Sequence, residues 1–339
     1  MDKDTKYSIS DVAEMLGVSA STVSRAINGK KGVGKKQRDK ILEVVKKIGY
    51  QPNTFAQGLS QGHVKIIALI LGDIRNPFYS DLVFNIQKLL NEKGYLVMVF
   101  NSEYDIDREL DFLNMARQFN FAGLILITAQ SEKIEESLNI LDIPMVLVNR
   151  ILPFYHGDSV LTDNFQAGYL AAMHLIDLYH TNIGFICGPG VSSASTQRFE
   201  GFKQALANFN LSVDERFVYE SDLKIESGRK IAKKFLSIKS DRPTAMVVVN
   251  DLTAIGFLDE CKKEGLSIPD DLSIVSFDNI MYSSIEGINL TSMNQHVEEM
   301  SEQAARLILK QLQGDRSHSE RIIITPELVV RNSTKQLES

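Results

Sequence analysis

Residues 8–28 read Ser-Ile-Ser-Asp-Val-Ala-Glu-Met-Leu-Gly-Val-Ser-Ala-Ser-Thr-Val-Ser-Arg-Ala-Ile-Asn, and this stretch decides the fold of the N-terminal end. Ser8 is a strong helix N-cap, and Asp11 three residues on comes close to a capping box. Val12, Ala13 and Leu16 then share one face at helical spacing, and Gly17 can take the left-handed conformation that ends a helix. Ser19 caps a second short helix with Val23, Ala26 and Ile27 inward. Two short helices around a Gly-bearing turn make a helix-turn-helix. The outer face of the second helix carries Ala20, Ser21, Ser24 and Arg25. Small and hydroxylated side chains with one Arg suit a helix that enters a groove and touches base edges. From this stretch alone, an ordinary amphipathic helical corner is the alternative.

The following residues narrow the choice. Val33 to Tyr50 reads as a third helix, with Ile41, Val44, Val45 and Ile48 inward and Lys35, Lys36, Arg38, Lys40, Lys46 and Lys47 outward. Residues 1–62 hold 11 Lys and Arg against 6 Asp and Glu, whereas the whole chain carries a net charge of −6. An acidic protein with a basic head is what phosphate binding by one end requires.

The ordered run of Asp11-Val12-Ala13, Gly17-Val18-Ser19, Thr22-Val23-Ser24-Arg25, Ile27-Asn28-Gly29, Gly49-Tyr50 and Pro52-Asn53 resembles the lactose-repressor/galactose-repressor (LacI/GalR) family of bacterial transcription regulators. The resemblance implies a homodimer on a near-palindromic, double-stranded operator. Arg25 is then expected to read a guanine, with Ala20 and Ser21 on adjacent bases. Thr22, Ser24, Asn28, Tyr50 and Asn53 are expected mainly on backbone phosphates. The same resemblance makes 52–62 a hinge helix with Ala56, Gln57 and Leu59 at the DNA and Leu59 wedged into the minor groove. Gly34 and Gln37 replace the family's usual Ser and Thr at the start of the third helix. Gln57-Gly58 replaces a frequent Arg-containing pair, and Gly58 should weaken the hinge.

A chain of 339 residues with 44% hydrophobic content suggests two or three domains with real cores. No apolar run approaches the ~20 residues of a membrane span. The charged N-terminus lacks a hydrophobic signal region, so a cytoplasmic protein without membrane attachment is expected. Cys187 and Cys261 read as buried free thiols, with no disulfide or metal site indicated.

From Lys65 onward, apolar runs of strand length alternate with helical segments. Ile66–Leu71, Leu96–Phe100, Ala122–Ile127 and Met145–Val148 form one set. Ile183–Ile186, Ala245–Val249 and Ser273–Phe277 form a second. Runs without polar alternation argue for parallel strands covered on both faces, and alternation with helices argues for doubly wound sheets. The fold class expected is therefore α/β: an all-α helix-turn-helix head, then two lobes like those of periplasmic binding proteins. The expected division is a head over 1–51, a hinge over 52–62 and an effector-binding, dimerising part over 63–339. Within that part the N-lobe takes about 63–162 plus 291–330, and the C-lobe about 163–290. The resemblance extends across it, through Gly72-Asp73-Ile74-Arg75-Asn76-Pro77-Phe78-Tyr79, Asn149-Arg150, Asp163-Asn164, Gln197-Arg198-Phe199-Glu200-Gly201-Phe202, Asn250-Asp251 and Phe277-Asp278.

Ligands of open α/β sheets sit at the carboxyl ends of the strands, and in a two-lobed protein also in the cleft. Asp73, Asn149, Arg150, Asn250 and Asp278 each follow a strand, and Arg198 opens a helix. Together these carboxylates, guanidiniums and amides are what holding adjacent hydroxyls requires. Phe78 is either a hydrophobic wall or core. Asp73 and Asp278 could instead cap helices, Arg150 could lie on the surface and Arg198 could belong to a structural ion pair. Family members often have an aromatic before the Ser-Gly at 227–228, where this chain has Asp222-Leu223. A planar base is then poorly gripped, which favours a sugar or sugar derivative. No nucleophile motif, phosphate-cradling loop or metal-ligand cluster points to an enzyme. His180 reads as structural, and no cofactor is indicated. The expectation is a repressor of carbohydrate genes. A global regulator with a protein co-regulator, and a sugar-binding protein with an incidental helical head, stand as alternatives.

Overall fold

In the computed structural model the described residues are 7–50, 64–127, 134, 136–138, 141–152 and 155–337. The chain forms two compact units, Met1–Val64 and Lys65–Ser339. The hinge expected over 52–62, with Asn53, Ala56, Gln57 and Leu59, lies outside the described residues.

The first unit holds α1 (Ile9–Leu16), α2 (Ala20–Ile27) and α3 (Lys35–Lys47). Ser8 and Asp11 close a reciprocal capping box, and Gly17 ends α1 in the left-handed conformation at φ 61°. Ser19 caps α2 by accepting from the Thr22 amide. Gly34 caps α3 without a side-chain hydrogen bond, the consequence of lacking the usual Ser. Val12, Ala13, Val23, Ala26 and Ile41 are buried where the three helices meet.

The second unit contains two six-stranded sheets. The first runs β11-β5-β4-β3-β1-β2, from β1 (Val64–Leu71), β2 (Leu96–Asn101), β3 (Phe121–Leu126), β4 (Met145–Val148), β5 (Asp158–Thr162) and β11 (Arg321–Ile324). The second runs β12-β10-β9-β8-β6-β7, from β6 (Ile183–Cys187), β7 (Val218–Glu220), β8 (Ala245–Val248), β9 (Ser273–Asp278), β10 (Thr291–Asn294) and β12 (Glu327–Val329). β12 pairs antiparallel with β10, whereas the β6–β7, β6–β8, β8–β9 and β9–β10 pairs are parallel.

Helices α4 (Pro77–Asn91) and α10 (Val297–Leu312) cover one face of the first sheet, and α5 (Ile106–Gln118) packs on β3. In the second sheet, Phe185, Val247 and Phe277 pack under α6 (Asn164–Asp177) and α7 (Ser193–Asn208). The alternate residues Ile186, Met246 and Ile274 pack under α8 (Ile225–Ser237) and α9 (Asp251–Lys263). Burial on both faces is why these strands are uninterrupted apolar runs.

One expectation is corrected. Residues 291–330 do not all return to the first lobe: α10 and β11 do, but β10 and β12 extend the second sheet. Thr291 to Asn294 runs parallel beside Val275 to Asp278, so its backbone satisfies the edge of β9. The chain therefore crosses between sheets at 162–164, 294–297 and 324–327.

Candidate functional site

On the head, Ser21, Arg25 and Asn28 are exposed and Ala20, Thr22 and Ser24 are half-buried. Ser19 Oγ lies 2.8 Å from Ser21 Oγ and 2.9 Å from Thr22 Oγ1, which fixes both hydroxyls beside the N-terminus of α2. Asn28 Nδ2 donates to Ser24 Oγ at 3.4 Å. Arg25 forms no ion pair among the described residues, and neither do Lys35, Lys36, Arg38, Lys40, Lys46 and Lys47. The Tyr50 ring packs on the head core, and burial raises its phenol above the usual range. The face is thus positive, uncompensated and centred on a helix of groove-sized side chains.

In the second unit, Phe78, Asn149, Arg150, Arg198, Asn250 and Asp278 line one recess between the sheets. Asp73 does not join them. It accepts from Arg75 Nε and Nη2, both at 2.8 Å, and faces an adjoining hollow of about 300 Å³. Burial alone would raise its carboxyl, but the Arg75 hydrogen bonds hold it below the usual range. Asn76 and Leu223 line both spaces.

A closed chain of polar contacts knits the recess. Arg198 Nε donates to Asn164 Oδ1 at 2.9 Å, and Asn164 Nδ2 donates to Asn149 Oδ1 at 3.3 Å. Asn149 Nδ2 and Thr162 Oγ1 donate to Gln295 Oε1 at 3.1 and 3.2 Å. Gln295 Nε2 donates to Asp278 Oδ1 at 2.5 Å, and Asp278 returns to Arg198 across 3.9 Å. Burial pushes the Asp278 carboxyl up to about 7 despite the Arg198 charge. Burial likewise pulls the Arg198 guanidinium down, opposed by Asp278. Arg198 also donates from Nη1 to the Val249 carbonyl at 2.7 Å and lies 4.6 Å over the Phe277 ring.

Backbone strain marks the same place. Asn149 and Asp278, ending β4 and β9, have φ of 54° and 105°. Non-glycine residues persist there only where surrounding contacts hold them. Asn250 caps α9 and donates from Nδ2 to the Leu223 carbonyl at 3.1 Å.

Sequence reasoning missed Asn164, Thr162 and Gln295 as members of this network, and Tyr79, whose hydroxyl accepts from Arg150 Nη2 at 3.1 Å. Asn164 and Tyr79 lay within family-like stretches. Gln295 carried no signal until β10 was known to run beside β9. His180 is buried between Thr244 Oγ1 at 2.8 Å and Ser273 Oγ at 3.0 Å and does not line the recess. Both thiols are pushed up to about 12 by burial, although Cys187 is only half-buried. No described helix is long and apolar enough to cross a membrane.

Comparison with known proteins gives a consistent set. Residues 8–53 match the bacterial regulatory proteins of the lacI family, and residues 172–334 match a periplasmic binding protein-like domain. The transcriptional regulator DegA of Bacillus subtilis (strain 168) is 33% identical over 98% of this chain and 100% of its own length. The transcriptional repressor PurR of Histophilus somni (strain 129Pt) is 31% identical over 97% of this chain and 99% of its own. A LacI family regulator from Enterococcus faecium, solved with bound ribose, is 27% identical, with a TM-score of 0.72 over 80% of this chain and 100% of its own.

Proposed function

Because the chain belongs to the lacI family of bacterial regulatory proteins, we propose that it represses carbohydrate-metabolism genes and that a small sugar-like effector in the cleft sets its grip on the operator. It is a DNA-binding transcriptional regulator of a family that binds operator DNA and small-molecule effectors as dimers. The observation that carries the sugar reading is the polar ring of Arg198, Asn164, Asn149, Gln295 and Asp278, with Asn250 beside it. Its paired donors and acceptors at fixed spacing are what vicinal hydroxyls need. Leu223, which shares the wall between the two spaces with Asn76, offers no flat face on which a base could stack. On the head, α2 enters the major groove with Arg25 on a guanine, and Ala20 and Ser21 on its neighbours. Regulation by binding needs no catalysis, and no enzymatic step is assigned to these residues.

Titration of a fluorescent near-palindromic duplex tests the reading, with and without mono- and disaccharides. The expected result is nanomolar-range binding that falls steeply with salt and that at least one sugar shifts. Operator binding indifferent to every sugar, but shifted by purines, would overturn it.

A further inference from the structure

The charge inside the recess does not balance. Arg150 and Arg198 are both buried there, at 4% and 5% exposure, and Asp278 is the one carboxylate on the lining; the buried Asp251 behind it reaches Arg198 and Asp278 and is already bonded to Ser276, Ser283 and Ser292. Arg150 has no ion-pair partner among the described residues. Its Nη1 donates to the Asn149 carbonyl at 2.6 Å and its Nη2 to the Tyr79 hydroxyl at 3.1 Å, both neutral acceptors. Its Nε is buried without any hydrogen-bond partner. Asp73, on the same side of the cleft, already holds Arg75 through both oxygens. A buried guanidinium without a counter-charge, and a buried N–H without an acceptor, each cost free energy that the fold must meet elsewhere.

Three helices also begin at this recess. Asn76, Ser192 and Asn250 cap α4, α7 and α9, and all three line it. Their N-terminal dipole ends add positive potential at one point. The Ile151 amide, next to Arg150, donates to Ser193 Oγ in the first turn of α7 at 3.3 Å, so Arg150 and that helix end are adjacent.

We propose, resting on the effector reading above, that the effector is anionic: a sugar bearing a phosphate or carboxylate group whose oxygens accept from Arg150 beside the N-terminus of α7. Arg198, Asn250 and Asp278 then hold the hydroxyls. The burial that pushes Asp278 towards neutrality at about 7 leaves the excess of positive charge larger still. The recess measures about 40 Å³, room for one or two waters. A ligand of this class therefore enters by parting the lobes, and the anion removes the penalty of the unpaired guanidinium as they close.

The test uses the full chain and inorganic phosphate as the probe, read as thermal midpoint against chloride at matched ionic strength. Wild-type protein should gain about 3 °C at a roughly tenfold excess over the dissociation constant. Arg150→Gln should lose that gain. Arg150→Lys, which keeps the charge and guards against a misfolded Gln variant, should retain part of it. Arg25→Ala should keep all of it, which separates the cleft from the basic head. A gain that survives in Arg150→Gln, or no gain in wild type, overturns the anionic assignment. A neutral sugar that shifts operator affinity would in that case leave the effector reading intact. A gain confined to Arg150, with no free, phosphorylated or oxidised sugar altering operator affinity, supports the anion site and removes the sugar reading instead. Matched arms with sugar phosphates and sugar acids distinguish the two anionic sources, the preferred one binding about tenfold or more tighter than its neutral parent.

Discussion

Arg25 and Asp278 carry the two sharpest consequences of single residues. Arg25 stands exposed on α2 with no competing ion pair among the described residues, so its guanidinium is free for a bidentate contact with guanine. Arg25→Ala should cost about 1–3 kcal/mol in operator affinity and relax preference at one base pair per half-site. Selection of binding sequences from a random pool checks this, and an unchanged consensus would sink the assignment. Asp278 concerns pH. Its folded-state carboxyl sits at about 7 because of burial, against about 3.9 in an unfolded chain. Between those values the folded protein binds a proton that the unfolded chain has lost. Stability from this group is therefore fully present at low pH, falls as pH rises through the window, and levels off above 7. Asp278→Asn lacks that slope. Relative to wild type, the variant should gain up to a few kcal/mol between about pH 4 and pH 7, read from urea unfolding at each pH. The comparison cancels the half-buried His174 and the buried His180, whose lowered values give the opposite slope in both proteins.

At the scale of elements, the recess depends on how closely α6 and α7 cross. A Cβ at Gly168 would meet the Arg198 carbonyl oxygen, and one at Gly201 would meet the Phe165 carbonyl oxygen, so the two backbones touch at the level of the site. Gly168→Ala must push α7 outward and carry Arg198 with it. It should cost about 1–3 kcal/mol in stability and weaken effector binding together with it. Gly190→Ala, where nothing lies within 4 Å of the added carbon, should leave both unchanged. Unfolding and ligand titrations on the two variants decide the matter. The same scale shows what was legible in advance. The capped helices of the head and the buried strands of both sheets were readable because caps and apolar runs are local signals. Asn250 and Asp278 were readable because each follows or ends a buried strand; Arg198 was expected to open a helix, but it lies in the second turn of α7, which Ser192 caps. Asp73 satisfies the same rule, yet Arg75 two residues on captures its carboxylate, a local ion pair that strand position does not reveal. Gln295 and the placement of β10 and β12 depend on which sheet edge a short strand joins, and four residues of sequence do not encode that choice.

For the whole molecule, dimerisation should turn on an apolar surface of the first lobe. Among the described residues β2 ends its sheet, with one edge unpaired. Leu96 and Met98 point away from the core at 65% and 38% exposure, while Val97 between them packs on it. Phe84, on the adjacent α4, is 68% exposed. An apolar edge strand beside an exposed Phe is a liability for a monomer and an asset for a symmetric pair, since a second copy offers the same face to it. Near-palindromic operators demand such a pair, because each head reads only one half-site. A Leu96→Asp, Phe84→Ser double variant leaves the described contacts of the head and the recess untouched, yet places a charge in that face. It should sediment as a monomer at micromolar concentration. It should also lose at least about a hundredfold in affinity for the full operator while keeping its weak affinity for a single half-site, because two heads no longer bind as one. Effector binding should persist in the monomer, as the ring of Arg198, Asn164, Asn149, Gln295 and Asp278 closes within one chain. A variant that stays dimeric by sedimentation, or a monomer that still binds the full operator with wild-type affinity, would place the dimer contact elsewhere.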